Sequence, residues 1–417
     1  MNCGGQTIHS ALRLSPKFLV PGAPYKMPED PTFKTFWQAV DVIAIDEVSM
    51  VRADVMDGID MALRTILGSK DPFGGVKVLL IGDLFQLPPV VREFAEDGMS
   101  DQELLDYYGY RSSHFFAAKV FERVAICPVE LTRVYRQADP TFVGLLNCIR
   151  DGRDVKETVA TMNKRCFRPF DKVEGEMLLT SLNGSAHRIN SDCMNELETP
   201  NYSFSARVSG RFSESDDQLP APRLLLLKGG SRVMLTRNDP QGRWVNGSLG
   251  VVRGVQVEEA TDPETGEKIE LESIKVQLDA GPEVLVGRAD WSKSKYVLEQ
   301  RAGEGDKMGR GVVVTKPVGT FNQFPVRLAW AVTIHKSQGL TLDHVCVDIG
   351  RGGAFAPGQL YVALSRCRTI EGLRFRAALL ESDVKCDAAV VAWHALCQDL
   401  CEQVLEVAKT GNMALEP

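Results

Sequence analysis

Two adjacent carboxylates, Asp46 and Glu47, directly follow the apolar run at residues 40–45. A carboxylate at the end of a buried strand can hold Mg²⁺, because this ion prefers few protein oxygens in octahedral geometry. A second carboxylate beside it can polarise a water that attacks a phosphate. Acidic residues commonly follow strands, so the pair indicates nucleotide hydrolysis only together with its surroundings.

The elements around this pair place it at one edge of a sheet. A second apolar run, residues 76–81, precedes Asp83 and Gln86, and residues 53–68 between the runs have helical apolar spacing. We predict that both runs are strands of a parallel sheet, buried on both faces and joined by a right-handed crossover. Ligands of such sheets bind at the carboxyl ends of strands, where all four polar side chains are expected.

The following residues predict a second α/β unit. A third apolar run at 124–129 closes the first unit, residues 141–149 are predicted as a helix, and residues 177–180 as a strand that leads into another helix. Residues 200–222 are rich in Ser, Pro and charge, and we predict a loop there.

Residues 229–320 have a different sequence pattern from the α/β segments before them. Short apolar runs alternate with turn signals, of which Asn246-Gly247 is a strong hairpin turn and residues 264–267 are a second predicted turn. This pattern predicts a small β-barrel with strands at 233–235, 251–252, 274–276 and 284–286. Residues 325–376 return to an α/β pattern, and residues 384–408 have the apolar spacing of a C-terminal packing helix.

Composition limits the class of protein. The chain has 417 residues and is 44% hydrophobic, enough for two or three domains with real cores. It has neither a long apolar span nor a signal peptide, so we expect an intracellular protein (cytoplasm or nucleoid, or nucleus or mitochondrion in a eukaryote) with no membrane partner and ten reduced cysteines. A net charge of −7 argues against a protein that coats nucleic acid, but permits a motor with an internal groove.

Six short segments of the chain stand in the order of a known set of motifs. They are residues 4–10 (GGQTIHS), 46–50 (DEVSM), 72–90 (PFGGVKVLLIGDLFQLPPV), 131–137 (LTRVYRQ), 330–342 (WAVTIHKSQGLTL) and 359–366 (QLYVALSR). Together they make nearly the whole chain resemble the PIF family of superfamily-one DNA helicases and their RecD and Dda relatives. The runner-up within the enzymes is the helicase part of a relaxase or a RecD subunit, and the Pro-Phe-Gly-Gly spacing favours PIF.

The resemblance implies an α/β fold with two RecA-like P-loop NTPase lobes, the first truncated at its N-terminus, and a small β-barrel inserted in the second. The implied boundaries are 1–130 for the first lobe, 131–228 and 321–417 for the two parts of the second lobe, and 229–320 for the barrel. It also implies an ATP-dependent, Mg²⁺-requiring 5'-to-3' helicase that acts on single-stranded and tailed duplex DNA in repair, recombination or genome maintenance, including telomere maintenance. The oligomeric state is not implied.

The resemblance assigns catalytic roles by position. Asp46 would hold Mg²⁺ and Glu47 would activate water, while Gln86 would sense the γ-phosphate and relay its state to the DNA groove. Arg136 and Arg366 would reach across the cleft as arginine fingers, because a planar guanidinium suits developing phosphate charge. The alternative for both arginines is a surface salt bridge.

The implied contacts to the single strand use hydroxyl, imidazole and ammonium donors, which suit phosphates. They are Thr7, His9, Thr333, His335, Lys336 and Ser337. Gln338 and Gly339 are expected at the nucleotide. Phe85 is either a base-stacking platform, since stacking tolerates any base, or a core aromatic. The remaining histidines, expected to be structural or on the surface, are His114, His187, His344 and His394.

One family motif is absent. Such a motor needs G-x-x-x-x-G-K-[ST], whose backbone cradles the phosphates, and no Gly-Lys dipeptide occurs in the sequence. A fragment or internal start, a missing segment supplied by another chain, and a non-hydrolysing relative that binds single-stranded DNA remain alternatives. Without the strand before that loop, neighbouring strands would have unpaired edges and exposed apolar faces. A third possible function is that of a partner-dependent interaction protein, which would bind its partner through the barrel and the C-terminal helix.

Overall fold

The structure, a computed structural model, describes residues 5–15, 17–92, 99–168, 176–210, 212, 219–261, 268–279, 281–299, 312–350 and 353–409. The helices are α1 (Ile8–Ala11), α2 (Pro31–Gln38), α3 (Ala53–Leu67), α4 (Asp101–Tyr107), α5 (Pro140–Asp151), α6 (Val155–Cys166), α7 (Asn183–Asn195), α8 (Gln359–Ser365) and α9 (Ala388–Lys409). Short 3-10 turns lie at Val48–Met50, Pro72–Gly75, Phe115–Ala117, Lys119–Glu122, His335–Ser337 and Glu381–Asp383. In these ranges, we find no helix with both the length and the apolar character needed to cross a bilayer.

The strands form parallel and antiparallel sheets. They are β1 (Val42–Ile45), β2 (Lys77–Leu80), β3 (Met177–Thr180), β4 (Asn201–Ser205), β5 (Arg207–Gly210), β6 (Leu224–Lys228), β7 (Arg232–Leu235), β8 (Leu249–Thr261), β9 (Lys268–Leu278), β10 (Glu283–Val286), β11 (Ala289–Glu299), β12 (Val312–Gln323), β13 (Val326–Leu328), β14 (Ala331–Thr333), β15 (Val345–Asp348) and β16 (Leu373–Phe375). We call β1, β2 and α1–α4 the first unit, and β3, β14–β16 and α5–α9 the second unit.

In the first unit, β1 and β2 pair in parallel, with Val42 opposite Lys77, and α3 connects them. The predicted strand-helix-strand order is therefore confirmed. Helix α3 buries an apolar face that includes Met56 and Leu63, and it ends at Gly68, whose φ of 69° is a left-handed conformation that favours glycine.

The prediction that both strands are buried on both faces is wrong. Val42 is 54% exposed and Leu79 is 53% exposed. In the described part of the chain this sheet has only two strands, and the apolar core of α3 covers one side of them. The third apolar run, at residues 124–129, forms no strand.

In the second unit, four parallel strands lie in the order β14-β3-β15-β16. The predicted strand at 177–180 and the predicted helices at 141–149 and 384–408 are confirmed as β3, α5 and α9. Leu87, which follows β2 in sequence, is fully buried in the core of this second unit beside Phe142 and Val362. The segment after β2 therefore enters the second unit.

The strands between β3 and β14 are antiparallel. They form sheets in the orders β10-β9-β8-β7-β13, β11-β12-β5 and β4-β6. The four predicted strands at 233–235, 251–252, 274–276 and 284–286 are confirmed as parts of β7 to β10, and the second predicted turn, at 264–267, lies outside the described residues.

The prediction of a loop at 200–222 is wrong for its first half. Strands β4 and β5 occupy residues 201–205 and 207–210 and pair with β6 and β12. Phe204 is the single buried residue of β4, and β5 is exposed throughout. The sequence of β4 alternates polar residues with Tyr202 and Phe204, a strand signal that the loop prediction overlooked. Strand β5 lacks such a pattern, and pairing with the distant strand β12 determines its structure.

Helix α9, the last element of the second unit, also contacts the first unit. Its Trp393 ring stacks on Phe116, with centroids 4.8 Å apart and planes at 4°. Just before the helix, Asp387 Oδ2 lies 2.9 Å from the Nε2 atom of His114, a residue only 2% exposed. These contacts join α9 and the residue before it to the first unit.

Candidate functional site

Asp46 and Glu47 follow β1, and both are exposed to solvent. Asp46 Oδ1 accepts the Glu47 N–H at 2.9 Å. Glu47 has φ 50° and ψ 43°, a left-handed conformation that costs free energy for a residue with a Cβ and that is concentrated at functional sites. A solvent-exposed carboxylate such as Asp46 fits Mg²⁺, which takes one or two protein carboxylates together with water and phosphate oxygens.

Asp83, after β2, connects the two units. Its Oδ2 accepts the Gln86 Nε2–H at 3.2 Å, and its Oδ1 accepts the Phe85 N–H at 3.1 Å. Burial, followed by the negative charge and hydrogen bond of Asp83, raises the pKa of Tyr361 to about 12. Tyr361 belongs to α8, so the Asp83 carboxylate holds the Gln86 loop and faces the opposite wall of the cleft.

Arg366 lies at the end of α8 and is only 1% exposed. Its Nε donates to the Val362 carbonyl at 3.0 Å. Burial, and next the charge of Arg136, lower the pKa of Arg366 to about 10, whereas Tyr361, Glu47 and Asp83 act in the opposite direction. The guanidinium thus stays charged at neutral pH and interacts electrostatically with Glu47 and Asp83 of the first unit.

The charged groups near Arg366 also change the pKa of Glu47. Burial first, and then the charge of Asp46, raise the pKa of Glu47, with a smaller contribution from Asp83, while Arg366 opposes the rise. A carboxylate with a raised pKa is better suited to accept a proton near neutral pH. Glu47, Asp83 and Arg366 therefore form one electrostatic cluster built from both units.

Arg136 lies beside this cluster. Its Nε donates to Thr341 Oγ1 at 3.2 Å and an Nη donates to the Ser365 carbonyl at 3.4 Å. The neighbouring Gln137 donates to the carbonyls of Ser365 and Cys367, at 2.9 Å each. Within the described ranges neither Arg136 nor Arg366 takes part in an ion pair, so the alternative of surface salt bridges receives no support.

The predicted DNA contacts of the second unit divide into two kinds. Thr333 is 4% exposed and its Oγ1 accepts the Lys336 N–H at 3.4 Å, while the fully buried Ser337 donates to the Ile334 carbonyl at 2.7 Å. These hydroxyls stabilise the turn His335–Ser337. Lys336 is exposed and His335 is partly buried; these two side chains have surface available for a ligand.

Gln338 and Gly339 follow that turn. Gly339 has φ 77° and is exposed, and Gln338 Nε2 is buried without a hydrogen-bond partner among the described residues. No measured contact links either residue to the Glu47, Asp83 and Arg366 cluster, so their predicted place at the nucleotide stays a prediction.

The predicted contacts of the first unit lie at its start. Thr7 is the N-cap of α1 and its Oγ1 accepts the Ser10 N–H at 3.3 Å. Burial and the charge of Arg52 lower the pKa of His9, with Asp54 opposing. His9 is therefore a neutral hydrogen-bonding group at neutral pH. Gly4 of the same motif lies outside the described residues.

Phe85 is 7% exposed, which favours the core alternative over the base-stacking platform. The guanidinium carbon of Arg150 lies 4.6 Å from its ring centroid, and the His394 ring meets it edge-on at 5.0 Å. His394 Nε2 also lies 3.1 Å from Glu130 Oε1. Sequence reasoning missed Arg150, because it lies outside the motifs and far from Phe85 in sequence, and expected His394 only as a structural or surface histidine.

Gly358 is a further residue that sequence reasoning missed. It has φ 70°, and a Cβ at this position would collide with the carbonyl oxygens of Phe85 and Gln86. Glycine is required here both for the backbone conformation and for the close approach. The Pro-Gly pair at 357–358 was a visible turn signal, but its contact with the first unit had no signal in the sequence.

Comparison with known proteins places these features in context. A family model described as PIF1-like helicase matches residues 1–160. The human ATP-dependent DNA helicase PIF1 is 32% identical over 403 residues, which cover 94% of this chain and 54% of that protein. The chain thus spans about half the length of the first curated relatives it matches.

Two further similar proteins are matched over a larger share of their own length. The ATP-dependent DNA helicase Pif1 of Bdellovibrio bacteriovorus is 30% identical over 374 residues, covering 89% of this chain and 74% of that protein. A crystal structure of Bacteroides sp Pif1 in complex with ADP-AlF4 superposes with a TM-score of 0.80 at 32% identity, over 95% of this chain and 84% of that one. The α/β fold of this chain is therefore shared with that structure.

Proposed function

The chain belongs to the PIF1-like helicase family, and from this premise we propose that it is the motor core of an ATP-dependent DNA helicase that moves along single-stranded DNA. The observation that carries the proposal is the buried Arg366, whose charge faces Glu47 and Asp83 from the other unit. A cleft with an arginine on one wall and carboxylates on the other suits phosphoryl transfer, which depends on positioning and charge stabilisation.

Within this proposal each residue of the cleft has a task. Asp46 holds Mg²⁺, which neutralises phosphate charge when bound. Glu47 accepts a hydrogen bond from the attacking water and orients it, and its raised pKa favours that role. Arg366 and Arg136 donate to the γ-phosphate oxygens as charge develops, and Gln86, held by Asp83, senses that phosphate.

The single strand would lie between the two units. Thr7 and His9 line it from the first unit, and His335 and Lys336 from the second, so that closure and opening of the cleft move one set against the other. We propose 5'-to-3' movement and tailed duplex DNA as the substrate of unwinding. The family resemblance is the support for both.

The domain organisation is part of the same proposal. We propose lobes at residues 1–130 and at 131–228 with 321–417, and an inserted barrel at 229–320. Strands β3 and β14 are neighbours in the parallel sheet, yet every antiparallel strand from β4 to β13 lies between them in sequence. This order supports an insertion within the second lobe.

The test is ATP hydrolysis with Mg²⁺, with and without a single-stranded oligonucleotide, by the chain joined to a segment that carries the G-x-x-x-x-G-K-[ST] loop, which these 417 residues lack. We expect hydrolysis that depends on the oligonucleotide, and Glu47→Gln is expected to lower kcat by about 100-fold or more, because it removes the group that orients water. Glu283→Gln, an exposed change in β10, is the matched control and should hydrolyse ATP like the wild type. Strand displacement on duplexes with a 5' or a 3' tail then tests polarity.

Two results would contradict the proposal in different ways. Single-strand binding without hydrolysis would assign the chain to the alternative, a module that holds DNA but does not turn over ATP. Absence of single-strand binding at low salt, where phosphate contacts are strongest, would exclude both functions.

A further inference from the structure

An exposed aromatic side chain lies beside the predicted DNA contacts of the second unit. Phe355 is 54% exposed. It belongs to the segment between β15 and α8, which leaves the parallel sheet at the same edge as the turn His335–Ser337 after β14. A large apolar ring at a ligand-binding edge of an α/β sheet is a candidate contact for a ligand.

The ring of Phe355 is held against that turn. Its plane is inclined by only 17° to the His335 ring, with centroids 6.4 Å apart. The Phe355 N–H donates to Gln359 Oε1 at 3.0 Å, and Gln359 is fully buried. The backbone that carries the ring is therefore anchored to α8, and the exposed Phe355 ring lies nearly parallel to the partly buried His335 ring.

The segment also reaches the nucleotide cleft. Gly358, three residues after Phe355, lies directly against the carbonyls of Phe85 and Gln86. One short segment thus touches the Gln86 loop at one end and the His335 turn at the other.

We propose that Phe355 is a nucleobase-stacking residue, which with His335 holds a base of the single strand whose backbone Lys336 contacts. The inference rests on the proposed function. A flat apolar face next to an exposed ammonium group matches the two parts of a nucleotide, its base and its phosphate. Stacking also accepts any base, as a motor that moves along arbitrary sequence needs.

The experiment measures the Kd of a fluorescein-labelled oligothymidylate by anisotropy. Phe355→Ala is expected to weaken binding by about 5- to 150-fold, the range typical for loss of one stacked base. Phe355→Trp is expected to restore affinity, because it keeps an aromatic face. Leu182→Ala is the matched control, since Leu182 is 56% exposed and follows β3 at the same sheet edge; it should bind like the wild type.

Salt dependence separates base contact from phosphate contact. Phe355→Ala should leave the slope of log K against log salt unchanged, because no charge is lost. Lys336→Ala should reduce its magnitude by about 0.7, the value for one phosphate contact to a single strand. On an oligonucleotide with abasic sites throughout, wild type and Phe355→Ala should bind equally.

Three results would overturn the inference. Equal binding of oligothymidylate by the wild type and Phe355→Ala would overturn it alone, and so would an equal loss on abasic and normal strands. If the wild type binds no strand at low salt, the proposed function fails together with it. A circular dichroism spectrum of Phe355→Ala like that of the wild type ensures that a loss of affinity is not a loss of fold.

Discussion

At the scale of single residues, the candidate site is a small set of charges that alter one another. Glu47 is surrounded by Asp46 and Asp83, which raise its pKa, and by Arg366, which lowers it. Arg366 is itself buried, which lowers its pKa, and Tyr361, Glu47 and Asp83 oppose that lowering. Changing one of the charges around Glu47 therefore changes the pKa of Glu47.

The pH profile of hydrolysis tests this coupling. Asp83→Asn removes a negative charge that raises the pKa of Glu47, so that pKa should fall and the acidic limb of kcat/KM should move to lower pH. Tyr361→Phe is the control, since it breaks the contact with Asp83 but keeps the carboxylate. It should lower kcat without moving the limb. A limb that stays fixed or moves to higher pH in Asp83→Asn would refute the coupling.

At the scale of elements, periodic apolar patterns predicted β1, β2, α3, α5, α9 and the strands β7 to β10. Each has enough local alternation or helical spacing to identify it. Strand β4 does alternate, but the Ser, Pro and charge content of residues 200–222 favoured a loop. Strand β5 does not alternate, and its pairing partner β12 supplies the missing information. The exposure of Val42 and Leu79 contradicts the prediction of strands buried on both faces, but agrees with the expectation of exposed apolar faces beside a missing strand.

At the candidate site, too, the sequence predicted some residues but not their contacts with distant ones. Motifs identified Glu47 and Arg366, which the fold brings into one electrostatic cluster. They did not predict that Ser337 donates to its own backbone or that Phe85 is covered by Arg150. Such contacts depend on packing between residues far apart in sequence, which periodicity does not encode.

The contact between α8 and the Gln86 loop is an element-scale prediction. Gly358→Ala should lower the free energy of unfolding by about 2–4 kcal/mol, from the left-handed backbone and the clash with the carbonyls of Phe85 and Gln86. Gly109→Ala has a similar φ of 74° but open space around its Cβ, and should cost only about 1 kcal/mol. Urea unfolding measures both. Equal losses would mean that the close approach contributes nothing.

At the scale of the whole molecule, the two units are coupled through α9 as well as through the cleft. The helix provides the Phe116–Trp393 stack, the contact of His394 with Phe85, and a thiol, Cys401, whose Sγ donates to the Pro128 carbonyl at 3.1 Å. It also follows Asp387, whose pKa is lowered mainly by its hydrogen bond with His114. These contacts fix the first unit to the second independently of any bound nucleotide.

Removing the stack of Trp393 on Phe116 should therefore allow the two units to unfold separately. Trp393→Ala deletes a ring stacked 4.8 Å from Phe116, a pair worth about 0.5–1.5 kcal/mol beyond the buried area. We expect scanning calorimetry to show the single transition of the wild type split into two, because weakly joined domains unfold separately. Leu396→Ala, on the same helix and 48% exposed, should leave the transition unsplit. A single transition in Trp393→Ala, at the temperature of the wild type, would show that the cleft contacts alone hold the units together, and that α9 does not contribute to their coupling.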